Sequence, residues 1–246
     1  MVNYLIKYLE VNLKALSEFR FSFIFDIVTI FFVNLAFYGT VIYLAYTNNG
    51  LGGLSYNEII MGIAIMQIAY ILGIGFFKGA DQMSYEIISG ELDFLLIRPI
   101  NAYLSILIHR IRLTVIGEII PLIVLLLLND PANIPFIIVF GIFSAVIFNV
   151  ATCLFSCIPF FTDVNNDFEF FDLIIGFANY PPGIFNDFMK FFGLFIFPGC
   201  MISFGPVLLL KDPSFAWVYF GFIIILITAF IIIFNLGLKR YRSAGY

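Results

Sequence analysis

The sequence predicts an all-α membrane protein that crosses the bilayer six times. Of its 246 residues, 62% are hydrophobic and only 11% are charged, and the mean hydropathy is +1.06. Soluble domains carry about 25% charged residues, and a soluble fold of this length would have too few polar residues to cover its surface. The composition therefore excludes a soluble enzyme, a disordered chain and a secreted disulfide scaffold.

Long apolar runs give the number of crossings. A bilayer core about 30 Å thick needs about 20 mostly apolar residues for one helical crossing. Four runs of this length precede residue 162, and one more follows residue 212. They cover about 21–46, 57–77, 103–128, 134–161 and 215–238. Between the fourth and the last lie two further runs, 168–180 and 191–210, separated by Tyr180-Pro181-Pro182-Gly183.

The distribution of Lys and Arg predicts the orientation, because short cytoplasmic loops collect basic residues. The loops at 47–56 and 129–133 contain none. With both termini in the cytoplasm, the number of crossings is even, so 168–210 crosses once and one of its runs is re-entrant or interfacial. If 191–210 is the crossing run, Lys190 lies on the cytoplasmic side, so charge alone slightly favours this arrangement. In either arrangement, the basic residues on the cytoplasmic side include Lys7, Lys14, Arg20, Lys78, Arg98, Arg110, Arg112, Lys239, Arg240 and Arg242.

The N-terminal segment has apolar and charged residues at helical spacing over 4–20. This pattern predicts an amphipathic helix on the membrane surface, and a frayed cytoplasmic tail is the alternative. The segment has neither the apolar core nor the small-residue cleavage site of a signal peptide.

The segment 78–101 is too long for a simple connector between two crossings. Asp81 can cap a short helix that stops at Gly90, and Arg98-Pro99 predicts an extended exit. One side of the segment is apolar and the other acidic, so we expect it to dock onto a partner. The alternative is a surface helix that rests on lipid headgroups.

Residues 90–101, Gly-Glu-Leu-Asp-Phe-Leu-Leu-Ile-Arg-Pro-Ile-Asn, resemble a signature of the permease subunits of ABC type-2 exporters. The N-terminal amphipathic segment, the proline-broken region at 180–182 and the ending 237–244 are similar too, so the resemblance covers nearly the whole chain. It implies one permease domain over 1–246, with an interfacial elbow helix at 1–20 and a cytoplasmic coupling loop at 78–101. It also implies an outer re-entrant region at 184–210, between the fifth and sixth spans and against the Lys190 count.

The resemblance implies a permease subunit that forms the translocation path of an ATP-driven exporter in a bacterial inner membrane. The chain itself is then no enzyme, because ATP and Mg²⁺ are bound by separate ABC ATPase subunits. A second permease, either an identical copy or a paralogue, is the other expected partner, and no nucleic acid is expected. The expected ATPase contacts are Glu86, Gly90, Glu91, Leu92, Asp93, Leu95, Arg98 and Pro99, with a minor second contact at 162–167.

Ionisable residues inside predicted spans are functional candidates. They are Asp26, Glu118 and Asp172. The alternative for Asp26 is a carboxylate near the interface, and that for Glu118 is an interhelical hydrogen bond. No metal site is expected, since three cysteines and one histidine do not complete a ligand set.

Two other classes of protein are weighed against the exporter. A stand-alone secondary transporter or channel driven by an ion gradient is the alternative, although such proteins often contain internal repeats and none is visible here. A membrane-embedded enzyme would need clustered His, Asp or Glu at one face. The sequence leaves the cargo and the choice between homodimer and heterodimer open.

Overall fold

The computed structural model describes residues 20–98, 100–108, 110, 112–162 and 170–242, which form helices and no β-strand. Within these residues, four helical stretches are long and apolar enough to cross a bilayer: Phe23–Thr47, Tyr56–Ser89 (which contains a bend), Pro131–Phe160 and Phe215–Arg240. The prediction of an all-helical, multi-pass chain is therefore confirmed, whereas six crossings stay a prediction. The predicted interfacial helix at 1–20 lies outside the described residues apart from Arg20.

The first two helices differ in how much of their surface is covered. Helix α1 spans Arg20–Thr47 and leaves most of its apolar side chains exposed. Helix α2 spans Tyr56–Tyr70 and is buried throughout 59–69. It is apolar on every side, as expected for a helix at the centre of a bundle.

Helix α2 is followed by an irregular stretch and then by a bend in the backbone. A π-helical turn covers Ile71–Phe76, the backbone bends at Phe77, and helix α3 follows over Gly79–Ser89. Such turns leave carbonyl groups without their usual partner in the helix. Here the side-chain amide of Asn149 donates to the Gly73 oxygen (2.9 Å), and the Arg112 backbone N–H donates to the Gly75 oxygen (2.9 Å).

The third predicted crossing, about 103–128, is interrupted. Helix α4 covers Leu92–Leu96, α5 covers Ala102–Leu107, and α6 covers Ile116–Leu128 after a short 3₁₀ turn. The expectation of one continuous helix over this run was wrong. Between α5 and α6, Arg110 donates a hydrogen bond to Glu91 and Arg112 donates one to the Tyr70 hydroxyl. The 13 residues of α6 extend over only about 20 Å.

The later part of the chain is built from one long helix followed by short ones. Helix α7 spans Ile134–Ser156. The described residues up to 211 then form the short helices α8 at Phe170–Ala178, α9 at Asp187–Phe191, α10 at Gly199–Ser203 and α11 at Gly205–Lys211. Proline or glycine lies at the breaks between these short helices, and proline ends or kinks a helix.

The segment 184–211 leaves and returns at the same end of the molecule. Gly183 packs against the Gly52 backbone, and Lys211 Nζ donates to the Gly53 oxygen (2.7 Å). Between these ends, Phe197 stacks on Phe155, and 199–207 are buried. This path is consistent with the predicted re-entrant region 184–210, whose depth in a bilayer stays a prediction.

Helix α12 spans Phe215–Arg240 and closes the core. Its Tyr219 hydroxyl lies 3.2 Å from Ser144 Oγ of α7. Near its C-terminal end, Gly237 lies directly against the Phe160 ring. The end of the molecule near Phe160 therefore brings α3, α4, α5, α7 and α12 into one apolar cluster.

Candidate functional site

Hydrogen bonds and close backbone contacts hold the segment 78–101 against the neighbouring helices. Ser156 Oγ at the end of α7 donates to the Ala80 oxygen of α3 (3.0 Å). Ser105 Oγ of α5 donates to the Leu95 oxygen of α4 (2.9 Å), and Gly79 lies in direct contact with the Ile106 backbone. Backbone groups make these contacts, which join α4 to α5 and α3 to α5 and α7.

The apolar residues of this segment divide into an inner and an outer set. Leu92 and Leu95, both expected to contact an ATPase, pack inside the chain's own core together with Met83. We therefore assign them to holding the segment in place. Phe94 and Ile97 point outward, with 73% and 79% of their surface exposed. Sequence reasoning missed these two, because an apolar run does not show which of its residues the core covers.

Two acidic residues of the segment, Glu86 and Glu91, lie beside Arg110. Arg110 Nη2 lies 3.1 Å from Glu91 Oε2, and Arg110 Nε lies 3.8 Å from Glu86 Oε1. Arg110 Nη1 also donates to Gln82 Oε1 (3.3 Å). Glu86 is fully buried, so Arg110 compensates a carboxylate that has lost its hydration.

The other predicted contact residues lie at turns of the segment. Gly90 ends α3 with a left-handed φ of 78°, as expected for a glycine C-cap. Asp93 lies beside Tyr241, and burial together with this carboxylate raises the pKa of Tyr241 to about 12. Arg98 is half-buried, and Pro99 lies outside the described residues.

We expect Arg110→Gln to destabilise the protein by about 2 kcal/mol, because the buried Glu86 carboxyl loses its ion pair with the guanidinium. The full cost of a broken buried pair is reduced because about a third of Arg110 is exposed. Thermal denaturation in detergent measures the effect. The double variant Arg110→Gln with Glu86→Gln should recover most of the lost stability, and a purely additive result would contradict the coupling.

A second polar site lies among α1, α2 and α6. Glu118 Oε2 accepts from Asn34 Nδ2 and from Gln67 Nε2, both at 2.6 Å. The Tyr38 hydroxyl donates in turn to Gln67 Oε1. Gln67 is fully buried and Glu118 is 6% exposed. These are interhelical hydrogen bonds of the kind weighed for Glu118, and they join three helices.

The same carboxylate lines a cavity of about 360 Å³ that lies between α1, α2, α6 and α8. Its polar wall contains Asn34, Tyr70, Arg112, Glu118 and Asn179. Its apolar wall includes Ile30, Val33, Phe37, Met66 and Ile175. The cavity therefore has room for a small molecule or a headgroup that is polar at one end and apolar at the other.

The comparison with known families decides which class of protein carries these features. The model of a family described as ABC-2 family transporter protein matches residues 23–245. The chain belongs to the ABC-2 transporter family. Neither the curated proteins nor the solved structures contain a match. The resemblance seen in residues 90–101 is thereby confirmed.

Family membership and the long apolar helices together make this chain a multi-pass membrane permease of an ABC transporter. ABC-2 permeases are transport subunits that work with ATPase partners and are not themselves catalytic. Two of the ionisable candidates of this ABC-2 permease, Asp26 and Asp172, are exposed on α1 and α8 and do not line the cavity around Glu118. Within the described residues, no group of three or more His, Cys, Asp or Glu is placed to hold a metal ion.

Proposed function

We propose that this ABC-2 permease is the membrane-spanning subunit of an ATP-driven exporter, and that its segment 78–101 couples it to a separate ATPase subunit that binds ATP and Mg²⁺. The exposed apolar pair Phe94 and Ile97 carries the proposal. Tyr85 and Ile88 of α3 are exposed as well. Exposed apolar side chains close to charged residues are typical of a protein interface.

The fastening of the segment explains how an ATPase can drive the spans. When ATP closes a partner dimer, a groove that holds α4 moves with it. The contacts of Ala80 with Ser156 and of Gly79 with Ile106 pass this movement to α7 and α5. Apolar contact at Phe94 supplies affinity, while charged residues such as Glu91 and Arg98 set register and partner choice.

The finer arrangement of the proposal has six crossings, an elbow helix at 1–20 and a re-entrant region at 184–210. Both termini lie in the cytoplasm of a bacterial inner membrane. The path of 184–211, out and back at the loop near Gly52 and Gly53, supports the re-entrant region. The exposed apolar side chains of α1, such as Phe25 and Phe32, support contact with lipid or with a second permease.

The double variant Phe94→Ser with Ile97→Ser tests the proposal. The tagged wild-type chain, purified from its native membranes, should carry an ATPase subunit with it. We expect the double variant to keep less than about a tenth of that ATPase, because the loss of two side chains that a partner covers typically costs an interface more than about 2 kcal/mol.

Trp217→Ser serves as the control, since Trp217 is 87% exposed at the start of α12, away from the segment. This variant should keep its ATPase. Undiminished co-purification by the double variant would contradict the docking surface. Transport by the lone chain that follows an ion gradient and ignores ATP would favour a stand-alone transporter.

A further inference from the structure

The Glu118 carboxylate lines the cavity and binds its protein partners through one of its two oxygens. Both amide donors, from Asn34 and Gln67, reach Oε2. No residue of the described ranges donates a hydrogen bond to Oε1, and Glu118 forms part of the cavity wall. Because Glu118 is only 6% exposed, a ligand that brings a hydrogen-bond donor would give this oxygen a partner inside a largely buried site.

The same polar wall carries a positive charge. Arg112 donates through Nε to Thr114 Oγ1 (2.9 Å) and through Nη1 to the Tyr70 hydroxyl (3.3 Å). These two bonds orient the guanidinium and use only part of its donors. A ligand that enters the cavity therefore meets an acidic group at Glu118 and a basic group at Arg112.

The pair of opposite charges limits which headgroup fits. A simple anion would lie against the Glu118 carboxylate, and a simple cation would lie against Arg112, so each would leave one unfavourable contact. A head that carries both charges satisfies both residues. The apolar wall, with Ile30, Val33 and Ile175, then accommodates the first part of an aliphatic chain.

We propose that this cavity binds an amphiphile with a zwitterionic head, whose primary ammonium donates to Glu118 and whose acidic group contacts Arg112. That this amphiphile is the cargo rests on the proposed function. That the cavity binds it does not, so binding is tested on the purified chain without an ATPase.

Native mass spectrometry of the purified chain counts bound molecules of three single-chain probes. Lysophosphatidylethanolamine carries both charges, lysophosphatidylglycerol carries only the negative one, and monoacylglycerol is neutral. We expect the first to bind about tenfold more tightly than the others, because a charge-assisted hydrogen bond is worth more than a neutral one.

The variant Glu118→Gln separates binding from helix packing. Its amide oxygen still accepts from Asn34 and Gln67, so the interhelical contacts remain. The affinity for lysophosphatidylethanolamine should fall about tenfold, to that for lysophosphatidylglycerol, because the charged acceptor is lost. Asp172→Asn removes an exposed carboxylate that does not line the cavity, and it should leave all three affinities unchanged.

A second variant keeps the test decisive if Glu118→Gln fails to fold. Arg112→Gln should weaken both lysophospholipids and leave monoacylglycerol unchanged. Equal binding of the three probes by the wild type would overturn the proposal, as would unchanged lysophosphatidylethanolamine binding in folded Glu118→Gln. Diacyl phosphatidylethanolamine is a further arm: binding equal to that of the single-chain probe assigns the site to a bilayer lipid, and weaker binding assigns it to a single-chain amphiphile.

Discussion

Gly79→Ala should destabilise the fold by about 3 kcal/mol, the upper end of the usual cost of overpacking. A Cβ at position 79 would lie far inside van der Waals contact with the backbone oxygen of Ile106, and about 3.1 Å from the Leu107 oxygen. Backbone atoms cannot rotate away as a flexible side chain does. The substitution therefore separates α3 from α5, and the cluster that buries Leu92 and Leu95 opens.

Thiol labelling measures this effect directly. Cys153 and Cys157 are free and buried in that cluster, so their reaction rate with a maleimide reports how often it opens. We expect much faster labelling in Gly79→Ala than in the wild type.

Gly39→Ala is the matched control, because Gly39 is also helical and a Cβ there meets nothing within 4 Å. It should leave the rate unchanged or lower it slightly, since alanine is favoured over glycine in helices by up to about 1 kcal/mol. Equal labelling of the two variants would contradict a close approach at Gly79.

Gly90→Val should abolish the response of the permease to ATP in the assembled transporter. With a φ of 78°, position 90 favours glycine, and a β-branched side chain there is strained. The strain of about 1–3 kcal/mol is relieved by a change in the turn between α3 and α4. That change moves Phe94 and Ile97 relative to the spans, while the long helices stay intact.

A cysteine introduced at Asn48, in the exposed loop after α1, reads out the response without knowledge of the cargo. In the complex with its ATPase, ATP should change the labelling rate of this cysteine in the wild-type background. The change should disappear in Gly90→Val and persist in Gly90→Asn, because asparagine tolerates the left-handed region. If valine and asparagine variants respond to ATP alike, the segment is not the coupling element.

Local and compositional rules account for what sequence reasoning predicted correctly. High hydropathy and few charges indicate a helical membrane protein, because a bilayer requires every backbone group to be bonded within its own helix. The predicted helix stop at Gly90 is confirmed at the end of α3, since a glycine C-cap is a local requirement. The predicted cap at Asp81 was wrong, because α3 begins at Gly79 and Asp81 lies in its first turn. The motif at 90–101 led to the family that the match over 23–245 establishes.

Such local rules do not predict the break between α5 and α6. Hydropathy over 103–128 favours one continuous helix, yet Arg110 and Arg112 find partners on α3 and at the end of α2. Within α4, likewise, Leu92 and Phe94 are both apolar, and only the packing of α4 into the cluster with α3 and α5 decides that the first is buried and the second exposed.

The sequence by itself determined that this protein lies in a membrane, that it is helical and which family it belongs to, because these properties depend on composition and on contiguous residues. Only the tertiary structure decided which residues of 78–101 face outward, and that Glu118 lies beside Asn34 and Gln67 at a cavity. The reason is distance along the chain: 84 residues separate Glu118 from Asn34. No local pattern records a contact made by the packing of three helices.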